Sequence, residues 1–241
     1  LYLIRYIGYL KGTLNNIATL MIDDMGVDKV DLRERLKESL DRLVRENYVA
    51  RQGDAYNFLT DEEQDIAREI AQVPVDVAEV TEGIKKLLFE SILKQRKLSR
   101  GANNFPFDCY VDDSIYRTSQ GGMKLNVVTV ANENLLNKAD DGEIALKSQG
   151  QALVVLADDS DYFEMMQNVA RTRKYARTIN VSQLPPSTQQ IIKGKMSQAS
   201  YDEKEAAKLI EDAVANARVA VNGVMATVRA SSARQLLEAA L

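Results

Sequence analysis

The sequence predicts an α+β protein, predominantly helical, made of a winged-helix module, a helical connector, a small α/β domain and a helical tail. Three observations carry this. Apolar residues recur at helical spacing over 29–46, over 76–98 and from Pro185-Pro186 onward. Two β-prone runs flank Gly53-Asp54. A wholly apolar run, Ala152-Leu153-Val154-Val155-Leu156-Ala157, reads as a central strand among several strand candidates. The expected boundaries are 1–72 for the winged-helix-like module, 73–100 for the connector, 101–181 for the α/β domain and 182–241 for the tail.

Residues 1–26 predict two short helices. Leu3, Ile7 and Leu10 line one, and Leu14, Ile17, Ala18, Met21 and Ile22 the other. Asp28 is placed to cap a helix over 29–46, whose buried stripe is Leu32, Leu36, Leu40, Leu43 and Val44. Asn47 suits the left-handed position at its end. Tyr48–Gln52 and Ala55–Thr60 then form a hairpin. Helix, helix, helix, hairpin over some 60 residues is the layout of a winged helix. Thr60 and Glu63 can close a capping box for the next helix, which runs to about Gln72 and ends before Pro74.

The helix over 76–98 would bury Val80, Ile84, Leu87, Leu88 and Ile92, with Lys94, Arg96, Lys97 and Arg100 at its carboxyl end. Strands are expected at 106–111, 124–130, 143–148 and 152–157. A helix follows from Asp159-Ser160-Asp161, turning Phe163, Met166, Ala170 and Ile179 to the sheet. The tail predicts one helix over 186–197 and a long one from Ser200 or Asp202, with Ala206, Ile210, Ala213, Ala217, Ala220, Val224 and Val228 as its stripe. Ser231-Ser232 interrupts it before a Leu236-Leu237 segment.

Composition removes whole classes of chemistry. The 241 residues are 45% hydrophobic and 27% charged, with a net charge of −4. No global positive field draws the chain to nucleic acid, so any such contact needs a local patch. There is no His, hence no imidazole base or ligand. Cys109 is alone, which excludes an intrachain disulfide and a CxxC site and fits a cytoplasmic location. No apolar run nears the roughly 18 residues of a membrane span. The chain opens on Leu1 inside an amphipathic element and is expected to be a piece of a larger protein.

Leu153–Asp159 resembles a Walker B strand, but no GxxxxGK[ST] string accompanies it, and Gly121-Gly122 precedes a strand rather than a helix. Capping by Asp159 or Ser160 is the competing reading. Asp23-Asp24, Asp112-Asp113, Asp140-Asp141 and Asp158-Asp159 read as caps and solvated turns, and Cys109 as a structural thiol. On helix 29–46, beyond Lys29 at its start, five cations (Arg33, Arg35, Lys37, Arg42, Arg45) face five acids (Asp31, Glu34, Glu38, Asp41, Glu46). That balance disfavours a DNA-reading helix and suits a protein-docking module. The local candidate for nucleic-acid or anion contact is Arg171, Arg173, Lys174 and Arg177; helix-end cations on a solvated face are the alternative.

Two stretches carry a family resemblance. Leu40-Asp41-Arg42-Leu43-Val44-Arg45-Glu46, followed by Gly53 to Ile66 with its string Tyr56-Asn57-Phe58-Leu59-Thr60-Asp61-Glu62-Glu63-Gln64-Asp65-Ile66, resembles the segment after the ATPase core of the large P-loop ATPases of BREX phage-defence systems, the BrxC/PglY family. Leu153–Asp159 and the helix ending Arg173-Lys174-Tyr175-Ala176-Arg177 are similar to the next region of those proteins. The resemblance implies a piece of a cytoplasmic bacterial ATPase lying C-terminal to its nucleotide-binding domain. ATP and Mg²⁺ are implied for that parent only. Implied partners are its own ATPase domain and other BREX components, including a DNA methyltransferase.

The expected function is accordingly a non-catalytic interaction and spacer segment that couples an ATPase core to protein partners, with weak DNA contact at most. No catalytic, cofactor-binding or metal-binding residue is expected in this chain. The alternative is a winged-helix DNA-binding transcriptional regulator with a C-terminal dimerisation or ligand-sensing domain. A third reading is an enzyme using acids around the 152–157 strand.

Overall fold

The computed structural model describes residues 1–227, apart from positions 8, 25, 95–96, 101, 120–121, 133, 135–136 and 158–160. The chain forms two compact units. Unit 1 comprises Leu1–Val73 and Tyr175–Gln198, and unit 2 comprises Pro74–Lys174 and the chain from Ala199 on.

Unit 1 opens with a 3₁₀ turn, Leu3–Tyr6, followed by α1 (Leu14–Leu20) and α2 (Lys29–Arg45). Asp28 caps α2, its carboxylate accepting from the amides of Val30 and Asp31. Asn47 takes φ 61°, which turns the chain into the hairpin of β1 (Val49–Gln52) and β2 (Ala55–Phe58). A lone antiparallel bridge joins Thr13 to Ala55. Ile17, Ala18, Leu36, Leu40, Val49 and Tyr56 make one core.

Helix α3 (Asp61–Gln72) starts at the predicted capping box. The Glu63 carboxylate accepts from the Thr60 amide at 2.7 Å, and the Thr60 hydroxyl accepts from the Glu63 amide. A second core joins Ile66 and Ile70 to Tyr175 and Ile192. The Tyr175 hydroxyl donates to Glu69 at 2.6 Å; burial and that carboxylate push its pKa up to about 12.

Unit 2 is a mixed sheet covered on both faces. Its strands are β3 (Lys97–Arg100), β4 (Asn103–Val111), β5 (Ser114–Arg117), β6 (Met123–Val128), β7 (Ala152–Val155), β8 (Arg218–Val221) and β9 (Val224–Ala226). The path runs β3-β4-β6-β7-β8-β9, with β5 pairing on β4. β4, β6 and β7 are mutually parallel, and the other pairings are antiparallel. Alternation sorts the side chains to two faces. Leu125, Val127, Ala152, Val154 and Val219 pack on one, against α4 (Val77–Lys86), the first part of α6 (Asp161–Thr178) and the second part of α7 (Pro186–Ala215). Val128, Leu153, Val155 and Ala220 pack on the other, against Ile144 of α5 (Asp141–Lys147). The chain expected as a connector over 73–100 thus shares one core with the sheet: Ile84 and Leu88 are buried among Phe107, Leu125 and Val154.

The structure departs from the sequence reading in three places. The helix expected over 76–98 ends at Ile92, through a π turn over Leu87–Ile92 in which the Leu93 amide bonds the Leu88 carbonyl. Lys97 and Arg100 then lie in β3, because pairing with Asn103–Pro106 of β4 satisfies their backbone. Residues 143–148 belong to α5 rather than a strand. Asp140 accepts from the Glu143 amide at 2.9 Å, and Glu143, Ala145, Leu146 and Lys147 are strong helix formers. The tail is one unbroken helix to Ala215, then a hairpin: Asn222 and Gly223, at φ 47° and 89°, turn β8 into β9. Val228, Ser231-Ser232 and Leu236-Leu237 lie outside the described residues, as do Arg96, Gly121 and Asp158-Asp159-Ser160.

Candidate functional site

The four cations singled out on α6 do not form one open patch. The Arg173 guanidinium makes a two-pronged bond to Glu203, Nη1 to Oε1 at 2.8 Å and Nη2 to Oε2 at 2.6 Å. Lys174 donates to Glu79 at 2.6 Å, which holds that carboxyl below the usual range. Arg171 is half-buried and donates to the Asn168 side chain at 3.2 Å. Arg177 is exposed.

A polar cluster sits where the parallel strands end, the position at which open α/β sheets place ligands. The Asp112 carboxylate accepts from the Thr129 amide at 2.7 Å and from the Thr129 hydroxyl at 2.5 Å. Burial pushes the Asp112 carboxyl up, outweighing those bonds. Asn126 donates to Asp113 at 2.8 Å. Arg218 reaches the carbonyls of Asn137 (2.8 Å) and Ala139 (2.7 Å). Asn126, Thr129, Asn132 and Asn137 are all buried. These bonds fix the loop after β6, and Asp112-Asp113, at φ 49° and 62°, makes the two-residue turn from β4 to β5.

Two other acidic pairs have local work too: Asp24 accepts from the Gly26 amide and Asp140 caps α5. Cys109 is buried in β4; burial pushes its thiol up, and Arg117 donates to its sulfur at 3.2 Å. Among the described residues no group of three or more Cys, Asp or Glu is placed to hold a metal. No described helix is long and apolar enough to cross a membrane. Gly122, at φ 75°, leads into a strand, and the chain has no GxxxxGK[ST] string, so its residues do not fit a phosphate cradle for ATP.

Sequence reasoning took Asp112 only as part of a solvated turn and missed Thr129, Lys85 and Glu203. Asn126 carried a usable signal, a carboxamide inside the apolar run of β6. Lys85, 5% exposed, donates to Ser114 at 2.9 Å, the Ile115 carbonyl at 3.1 Å and Glu82 at 3.2 Å, tying α4 to β5.

Residues 73–241, well over half of the chain, match the family model described as BREX ATP-binding protein BrxC 4th domain with six-stranded beta sheet. The match begins at Val73, one residue before unit 2, and the hydrogen-bonded path β3-β4-β6-β7-β8-β9 has six strands. No solved structure matches the chain. The chain belongs to the BrxC family of BREX ATP-binding proteins, with residues 73–241 corresponding to the fourth domain.

Proposed function

We propose that this chain is a non-catalytic connecting segment of a BREX phage-defence ATPase, passing nucleotide-driven changes from the ATPase core to protein partners. One observation carries the reading: α6 and α7 each belong to both units, α6 changing over between Lys174 and Tyr175 and α7 between Gln198 and Ala199. Two continuous helices shared in this way are a ready route for a displacement, because helices move as stiff rods. In this reading ATP and Mg²⁺ are handled by another part of the parent protein, and other BREX components are the partners.

Residues 1–72 act here as a winged-helix-like module used for docking. Its layout follows the 3₁₀ turn, α1, α2 and the β1–β2 hairpin, with the Thr13–Ala55 bridge as the third strand contact. Over α2 and its C-cap Glu46 six cations meet five acids, and Arg35 pairs with Asp31 at 3.6 Å and Arg42 with Glu46 at 3.9 Å, which favours a protein over DNA. Of the four α6 cations, exposed Arg177 is the one available for weak nucleic-acid contact.

The test uses the full-length parent protein. A Gly-Ser-Gly-Ser insertion between Gln198 and Ala199 interrupts α7. ATP hydrolysis is expected to persist while phage restriction, read as plating efficiency, falls at least tenfold. Undiminished restriction overturns the reading.

A further inference from the structure

Unit 1 contains a cleft of about 380 Å³, within the range of ligand sites. Hairpin β1–β2 forms one wall and the first half of α7 another. Three charges line it: Arg5, Glu63 and Lys195. Arg5 is already committed, donating to the Phe58 carbonyl at 2.5 Å and to Glu63 at 3.2 Å. Glu63 also accepts from the Thr60 amide and hydroxyl. Lys195 is different. Among the described residues it has no hydrogen bond and no salt bridge within 4 Å. Burial lowers its affinity for a proton, offset only partly by the Glu63 charge. The residue is half-buried and its ammonium still reaches solvent, so it is open to an incoming anion.

Its neighbour carries a stability cost. Gly194 sits in the interior of the 30-residue helix α7, where glycine is among the worst choices. No heavy atom lies within 4 Å of where its Cβ would be, so packing does not demand a glycine. What Gly194 does is leave the cleft wall open beside Lys195. An open lysine and a glycine that costs stability thus sit side by side on the same cleft, the pattern expected where a ligand collects the return.

The charge balance and the amides name the ligand class. With Arg5 and Glu63 paired, Lys195 leaves a surplus of one positive charge, which matches one carboxylate and not a phosphate dianion beside Glu63. Gln52, Asn57 and Gln190 also line the cleft, and each side-chain amide both donates and accepts, as a peptide backbone requires. We propose that this cleft binds an acidic peptide segment of a partner protein, seating one Asp or Glu carboxylate on Lys195 while these amides bond its backbone. The binding site lies wholly within unit 1 and does not depend on coupling through α6 and α7.

The test titrates the full chain, ¹⁵N-labelled, with acetyl-Gly-Ala-Glu-Ala-Gly-amide and its Gln counterpart, read by amide shifts. The Glu peptide is expected to bind at least tenfold tighter than the Gln peptide. Lys195→Gln abolishes that difference, and Lys193→Gln, exposed and outside the cleft, leaves it intact. Gly194→Leu blocks both peptides without lowering the melting temperature. Equal binding of the two peptides, no binding at millimolar concentration, or an unaffected Lys195→Gln variant overturns the proposal. So does acetylglutamate amide competing as well as the peptide, since the ligand would then be a small carboxylate.

Discussion

Arg173 and Glu203 lock α6 to α7 inside unit 2 through two parallel hydrogen bonds of 2.8 and 2.6 Å. The pair is about one-third exposed, 33% and 28%, so solvent discounts its strength. The Glu203 carboxylate holds the Arg173 pKa above its ordinary value. A double-mutant cycle with Arg173→Ala and Glu203→Ala should give a coupling of about 1 kcal/mol in urea unfolding. Arg173→Lys should recover less than half, because an ammonium has no fork. A coupling near zero would mean that the cation stands free for an external anion.

Asp112 makes the stability of unit 2 depend on pH in an unusual direction. Burial raises its folded pKa above the unfolded value. The stability this contributes is fully present below the ordinary Asp pKa of about 3.9 and is lost as pH rises through the raised value. Asp112→Asn should therefore be no less stable than the parent at pH 7 and should flatten the pH dependence just above pH 4. Asn also tolerates φ 49° and can keep both bonds to Thr129. Asp112→Ala leaves fully buried Thr129 without its acceptor and should cost about 2 kcal/mol. Chemical denaturation across pH 4 to 8 separates the three proteins.

Elements with local causes were legible in the sequence. Asp28, Thr60 and Glu63 cap helices with atoms a few residues away, and those helices begin where expected. The apolar run at 152–157 was readable because burial on both faces removes polar residues from a parallel strand. Elements set by distant partners were not. β3 exists because β4 offers it a pairing edge, and nothing within Lys97–Arg100 announces that edge. The α6 cations read as a cluster because their partners, Glu79 and Glu203, lie 95 and 30 residues away. The family likeness was legible too, but the quoted string Tyr56–Ile66 lies outside the matched residues, whereas the tail lies within them.

The β8–β9 hairpin was hidden rather than silent. Asn222-Gly223 between Val219-Ala220-Val221 and Val224-Met225-Ala226 is a strong short-range hairpin signal, yet the alanine spacing running on from Ala206 imitates a continuing helix. Both turn residues take positive φ, 47° and 89°. The turn is also tied to the loop before β7: the Asn222 side chain accepts from the Gly150 amide at 3.2 Å, and the Gly223 amide donates to the Ser148 hydroxyl at 2.8 Å. Gly223→Ala keeps that amide and meets only the Gln149 Cγ at 3.8 Å, so its cost is the left-handed backbone alone, about 1 kcal/mol. Gly223→Pro cannot adopt the conformation and has no amide to give, so it should cost about 3 kcal/mol or more and free β9 from the sheet. Hydrogen exchange would show this as lost protection across β8 and β9 with α1–α3 unchanged. Protection that survives Gly223→Pro would mean that the hairpin is held by its strands and not by its turn.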